Sequence, residues 1–151
     1  MDTVRANVAA SLLEPNFRIL DLGCGEGLLR QFLPEGCTWH GYDLRPLHPE
    51  IGFIDLDKAS FPEGQFDCIV MLGVLGWLKN PRAVLDRAAS CAPFLIASDR
   101  RRRWRWRRPL RPTRSEELDR MIAGTRWQID RKVEWRRDHE RYYRVCRCNK
   151  N

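Results

Sequence analysis

The chain has 151 residues, 43% apolar, 31% charged and 10% aromatic, with a formal net charge of +7. That length predicts one domain with a full core, and the composition excludes a disordered or fibrous chain. No apolar run approaches the roughly 20 residues of a membrane helix, and Met1 to Pro15 lacks a basic leader before an apolar block, so a cytoplasmic location is expected. Residues 2–14 read as an opening helix, with Val4, Val8, Leu12 and Leu13 near helical spacing, and Pro15 stops it. Phe17 to Leu22 is a short apolar run, a buried strand that breaks into Gly23-Cys24-Gly25-Glu26-Gly27. Leu28 to Leu33 resumes a helical pattern. A second strand covers 37–43, and Pro46 and Pro49 leave no room for a helix before a third at 51–55. A fourth strand covers 66–72. Asn80 caps a helix with Pro81 at its first position, running to about Ser90. Ala92 to Ala97 is a fifth strand. Thr113 and Glu116 form a capping box for a helix closed by Gly124. Trp127, Ile129, Val133 and Trp135 alternate with polar residues, giving a strand with one buried face, although Arg131 breaks the pattern. A hairpin-length connection leads to a last strand, 141–148.

This order predicts an α/β fold, Rossmann-like and doubly wound, with a mostly parallel seven-stranded sheet and an antiparallel C-terminal hairpin strand in a single domain, 1–151. Ligands of such sheets sit beyond the carboxyl ends of the strands. Six cysteines are scattered, with no C-x-x-C pair and no histidine beside a cysteine pair. They read as reduced thiols, and no metal site is expected.

Charge is unevenly placed. Residues 1–98 hold 8 basic and 12 acidic residues, and residues 99–151 hold 19 and 8. Arg100 to Arg108, a loop after the fifth strand, contains seven arginines and two tryptophans. Guanidinium groups hold phosphates and carboxylates, and indoles stack on rings. The segment reads either as an acceptor clamp involving Arg103, Trp104, Arg105 and Trp106, or as a solvated charge run. The expected partners are therefore an anionic acceptor or nucleic acid, with a protein partner as another possibility.

The most specific motif is Ile19-Leu20-Asp21-Leu22-Gly23-Cys24-Gly25-Glu26-Gly27. Glycines at a strand end let a ligand approach the backbone. The spacing is G-x-G-x-G, and Leu28 stands where a dinucleotide fingerprint has glycine, which counts against hydride transfer. Asp43 follows Gly25 by 18 residues at a strand end, where a carboxylate can accept from ribose hydroxyls. Together they suit a nucleoside ligand.

These residues resemble the class I S-adenosylmethionine-dependent methyltransferases. ILDLGCGEG resembles their first motif and GYDLRP their second. Residues 54–67 are similar to the stretch before their fourth strand, and residues 70–81 to that strand and the turn after it. The resemblance covers about residues 17–98. It implies S-adenosylmethionine as cofactor and S-adenosylhomocysteine as product. It also implies roles: Gly23, Cys24, Gly25 and Gly27 pass the methionine part, and Asp21 orients its ammonium. Asp43 and Leu44 lie at the ribose. Asp55 accepts from the adenine amino group, with the Leu56 amide beside the ring. Leu72, Gly73 and Val74 line the floor near the sulfonium, and Trp77 lies toward the acceptor. Asp55 and Asp57 also fit turn residues capping a strand end, and Gly73 fits a packing glycine. From Asp55 to Arg105 the chain is also similar to the small bacterial MetW group. Two features depart from the family: the helix between the second and third strands is nearly absent, and no Pro-Pro-Tyr type motif follows the fourth strand. Asp99, His40 and His48 offer no clear catalytic base. The leading expectation is methyl transfer to an anionic acceptor. The alternative is a methyltransferase-like binding or regulatory protein acting through its basic C-terminal third.

Overall fold

A computed structural model of the chain describes residues 3–99, 115–135 and 140–147. Seven strands form one sheet: β1 (Arg18–Leu22), β2 (Thr38–Asp43), β3 (Gly52–Phe53), β4 (Cys68–Leu72), β5 (Phe94–Asp99), β6 (Trp127–Trp135) and β7 (Glu140–Arg147). Their spatial order is β3-β2-β1-β4-β5-β7-β6. Strands β1 to β5 pair in parallel, and β7 runs antiparallel to both β5 and β6. Helices α1 (Thr3–Ala10), α2 (Pro81–Cys91) and α3 (Ser115–Ala123) complete the architecture. The predicted fold class, a mostly parallel seven-stranded sheet with an antiparallel C-terminal hairpin, is the one observed.

The strand sequences account for the two core layers. Side chains alternate across a strand, so Ile19 and Leu20 on β1 enter opposite layers. One layer joins Leu20, Met71, Leu85, Leu95, Leu118 and Tyr143; the other joins Ala9, Ile19, Leu29, Val70, Ile96 and Tyr142. Every residue of β4 is buried, as expected for a central strand covered on both faces. Helix α2 starts where Asn80 Oδ1 accepts from the Ala83 amide at 3.2 Å, with Pro81 in the first turn.

Four elements differ from the sequence expectation. Helix α1 ends at Ala10 because the Leu12 and Leu13 amides bond three residues back, to Ala9 and Ala10, and Ser11 Oγ donates to the Val8 carbonyl. The chain tightens there, yet Leu12 and Leu13 still enter the core. Leu28–Phe32 is a 3-10 segment rather than an α-helix. Strand β3 has two residues, pairs on one side only, and leaves Phe53 exposed. In β6 the pairing with β7 shifts between Ile129 and Arg131. Beyond that bulge the side-chain phase reverses, so Trp127 packs in one layer and Val133 in the other. The single buried face expected for this strand is thus two half-faces, and Ile129 is exposed.

Between β2 and β3 there is no helix, as the prolines implied. The sheet order reverses direction between β1 and β4, which opens a crevice at their carboxyl ends. Among the described residues no helix is long and apolar enough to cross a membrane. Five cysteines of this set are free. The Arg100 to Arg108 segment and Thr113 lie outside the described residues.

Candidate cofactor cleft

A cleft of about 460 Å³ lies at the carboxyl ends of the strands. The glycine turn after β1 forms one wall. Gly23 N and Cys24 N both donate to the Tyr42 carbonyl, at 2.8 and 3.2 Å, which ties the turn to the end of β2. Gly25 N donates to Asp43 Oδ2 at 2.8 Å. The other oxygen, Oδ1, accepts from the Arg45 amide at 2.9 Å, so the Asp43 carboxylate is fixed in orientation. Gly25 has φ +60, and no atom stands within 4 Å of where its Cβ would lie. A side chain there would project into open space beside the turn.

The sequence-predicted residues gather here. Gly23, Cys24, Gly25, Asp43, Leu44, Asp55, Leu56, Leu72, Gly73 and Trp77 all line the cleft. Asp21, in β1, and Gly27, the last glycine of the turn, do not. Asp21 is buried, and its Oδ2 accepts from Trp39 Nε1 at 3.1 Å. Burial raises its pKa to about 7, the Trp39 hydrogen bond pulls it down, and the charge of Asp43 pushes it up. Burial and the two carboxylates push the Cys24 thiol up to about 12, so it is not a nucleophile near neutrality. Asp55 sits at the opposite wall. Its Oδ1 accepts from the Asp57 amide at 3.1 Å, and its Oδ2 pairs with Lys58 at 2.9 Å. That hydrogen bond from Lys58 holds its carboxyl below the usual carboxylate range. Asp57 Oδ1 accepts from the Lys79 amide at 2.9 Å, joining this wall to the loop before α2. Arg103, Trp104, Arg105 and Trp106 lie outside the described residues.

One lining residue had no signal in the sequence. Arg5 on α1 is buried, lines the cleft, and donates from Nη2 to Ser98 Oγ at 3.4 Å. Its guanidinium occupies the space that a Cβ on Gly73 would need. Nothing local marks Arg5, because it reaches the site only through packing of α1 on the sheet. His40 lies edge-on to the Phe66 ring, and His48 is exposed in the β2–β3 connection. Among the described residues no histidine lines the cleft. Among the described residues no group of acidic, histidine or cysteine side chains could hold a metal ion.

The methyltransferase domain family matches residues 2–142. This chain belongs to that family. The resemblance of its motifs to the class I members implies S-adenosylmethionine as cofactor and S-adenosylhomocysteine as product. No curated protein matches the sequence. Solved structures share the fold at low identity. A SAM-dependent methyltransferase from Aquifex aeolicus superposes with TM-score 0.71 at 18% identity, covering 94% of this chain and 89% of that one. Magnesium protoporphyrin IX methyltransferase of Synechocystis PCC 6803, with bound SAM, gives 0.67 at 19% identity, covering 96% and 78%. The [4+2]-cyclase SpnF gives 0.75 at 13% identity, covering 96% and 80%.

The cleft's own residues fit this cofactor. The open side of Gly25 leaves a cradle for a ligand chain, and the fixed Asp43 carboxylate keeps further acceptor capacity for a diol. The volume lies within the range of small-molecule sites.

Proposed function

We propose that this methyltransferase holds its donor between the Gly23–Gly27 turn and the Asp55 wall and methylates an anionic acceptor. One observation carries the donor part: the Gly25 amide bonded to the Asp43 carboxylate at 2.8 Å, which unites two motifs 18 residues apart at one strand edge. In this reading Asp43 holds the ribose hydroxyls and Leu44 flanks the ring. Asp55 and the Leu56 amide face the adenine. Asp21, in β1, attracts the ammonium directly or through water. Leu72, Gly73 and Val74 form the floor. The cofactor supplies an electrophilic methyl group open to in-line attack. The protein positions the partners and excludes water. No base is assigned.

Two observations support an anionic acceptor. Arg5 brings a buried guanidinium to the cleft, and Arg100 to Arg108 follows β5, whose Ser98 accepts from that guanidinium. Trp77, exposed on the cleft wall, offers a flat surface to the acceptor. A second reading is a binding or regulatory protein on this scaffold, since the fold by itself does not fix the reaction and the cyclase SpnF shares it.

Calorimetric titration with S-adenosylmethionine and S-adenosylhomocysteine tests the donor site. Micromolar binding is expected in the wild type, with loss in Gly25→Arg and Asp43→Ala. Absence of binding by folded wild-type protein overturns the donor reading and favours the second one.

A further inference from the structure

Beneath the glycine turn lies an arrangement that the motifs do not announce. Trp39 on β2 points its indole under the turn. The Cβ position of Gly27 lies 2.9 Å from Trp39 Cη2, and that of Gly41 meets the same ring. Both glycines are therefore required by the indole. The ring also carries the Arg30 guanidinium at 5.7 Å from its centroid, and Arg30 is paired with Glu50. From the ring edge Nε1 donates to Asp21 Oδ2 at 3.1 Å. Trp39 thus touches the turn through packing and the acidic residue of the first motif through a hydrogen bond.

We propose that Trp39 is a positioning residue for cofactor binding, which braces the glycine turn and keeps the Asp21 carboxylate ionised and oriented toward the ammonium group of the donor. This rests on the donor-site reading above. The physical argument is one of charge placement. A buried carboxylate needs hydrogen-bond donors to remain charged. The groups around Asp21 supply few. From β2 come Trp39, a donor, and Asp43, a like charge; from the turn comes Cys24, whose thiol is protonated near neutrality. On the α1 side the layer contains Arg5, which bonds Ser98. The 3-10 segment contributes Arg30, held by Glu50 and stacked on the far side of the indole. From β4 the register partner is Val70, which is uncharged. The indole N–H is the group among these seen to donate to Asp21. Removing it leaves Asp21 more readily protonated, and a neutral Asp21 attracts an ammonium less.

The test is calorimetric affinity for S-adenosylhomocysteine between pH 5.5 and 8.5, in wild type, Trp39→Phe, Asp21→Asn and the double variant. Wild-type affinity should rise with pH through neutrality. Trp39→Phe keeps a ring but not the donor, so its rise should move to higher pH, with about tenfold weaker binding at pH 7. Asp21→Asn should flatten the profile, and Trp39→Phe in that background should not restore a pH dependence. A second measurement needs no variant that must fold. The Trp39 indole N–H resonance of the wild type should shift with an inflection near neutral pH. A resonance static across that range overturns the proposal. So does a Trp39→Phe profile that is merely lowered in parallel, because a packing role alone predicts that. Failure of the wild type to bind at all overturns the donor site instead, and is distinguishable for that reason.

Discussion

At the scale of single residues, the cleft depends on groups whose placement opposes their intrinsic preference. Asp21 is the clearest. Its folded pKa, about 7, lies above the ordinary value of 3.8, chiefly because burial penalises the charge. The folded protein therefore binds a proton that the unfolded chain has released. The stability contribution is fully present below the ordinary value and is lost as pH rises through about 7. Relative to Asp21→Asn, the cofactor-free wild type should lose at most about 4 kcal/mol between pH 4 and pH 8. Urea midpoints of both proteins across that range check this; parallel pH profiles would refute it. Gly73 is a second case. Its φ of +66 lies in the region that disfavours a Cβ, and Arg5 occupies the space that one would need. Gly73→Ala is expected to destabilise by about 1–3 kcal/mol, read from denaturant midpoints. It should also displace Arg5 from the cleft.

At the scale of elements, legibility in the sequence followed the range of the forces involved. Helix α2 was plain because its start is local chemistry: Asn80 and Pro81 act within one turn. Asn80→Ala should cost about 1 kcal/mol by thermal melting, since the Ala83 amide loses its acceptor at 3.2 Å. The glycine turn and Asp43 were legible for a similar reason, since their residue types and spacing are tied to strand ends. Strand β6 was only half legible. Its alternation was visible, but the register shift after Ile129 is imposed by pairing with β7, and no residue before it announces the change of face. Arg131 was the only sign. The end of α1 is not legible in the sequence, because Leu12 and Leu13 remain in the core through tightened turns rather than through helix. Arg5 was invisible, since its contact with Ser98 spans 93 residues.

For the whole molecule, the division of charge sets the largest expectation. The cleft is lined by Asp43, Asp55 and Asp57 against Arg5 and Arg45, whereas the chain beyond residue 98 carries most of the cations. A donor that bears a sulfonium and an ammonium is drawn to the acidic side. An anionic acceptor is repelled by that side unless cations screen it, and Arg100 to Arg108 supplies seven. The two ligands would then depend on different regions of one chain. Reversing Arg103, Arg105 and Arg107 to glutamate should leave S-adenosylhomocysteine affinity within about twofold. The same variant should abolish transfer of labelled methyl groups to acceptors in a cell extract. Wild-type transfer should fall as ionic strength rises from about 0.05 to 0.5 M, because salt screens the arginines from an anionic acceptor, while donor binding in the cleft changes little. Transfer that survives charge reversal would instead place acceptor recognition on Arg5 and Trp77 within the cleft wall. Loss of both activities together would mean that the basic segment supports the fold rather than the acceptor.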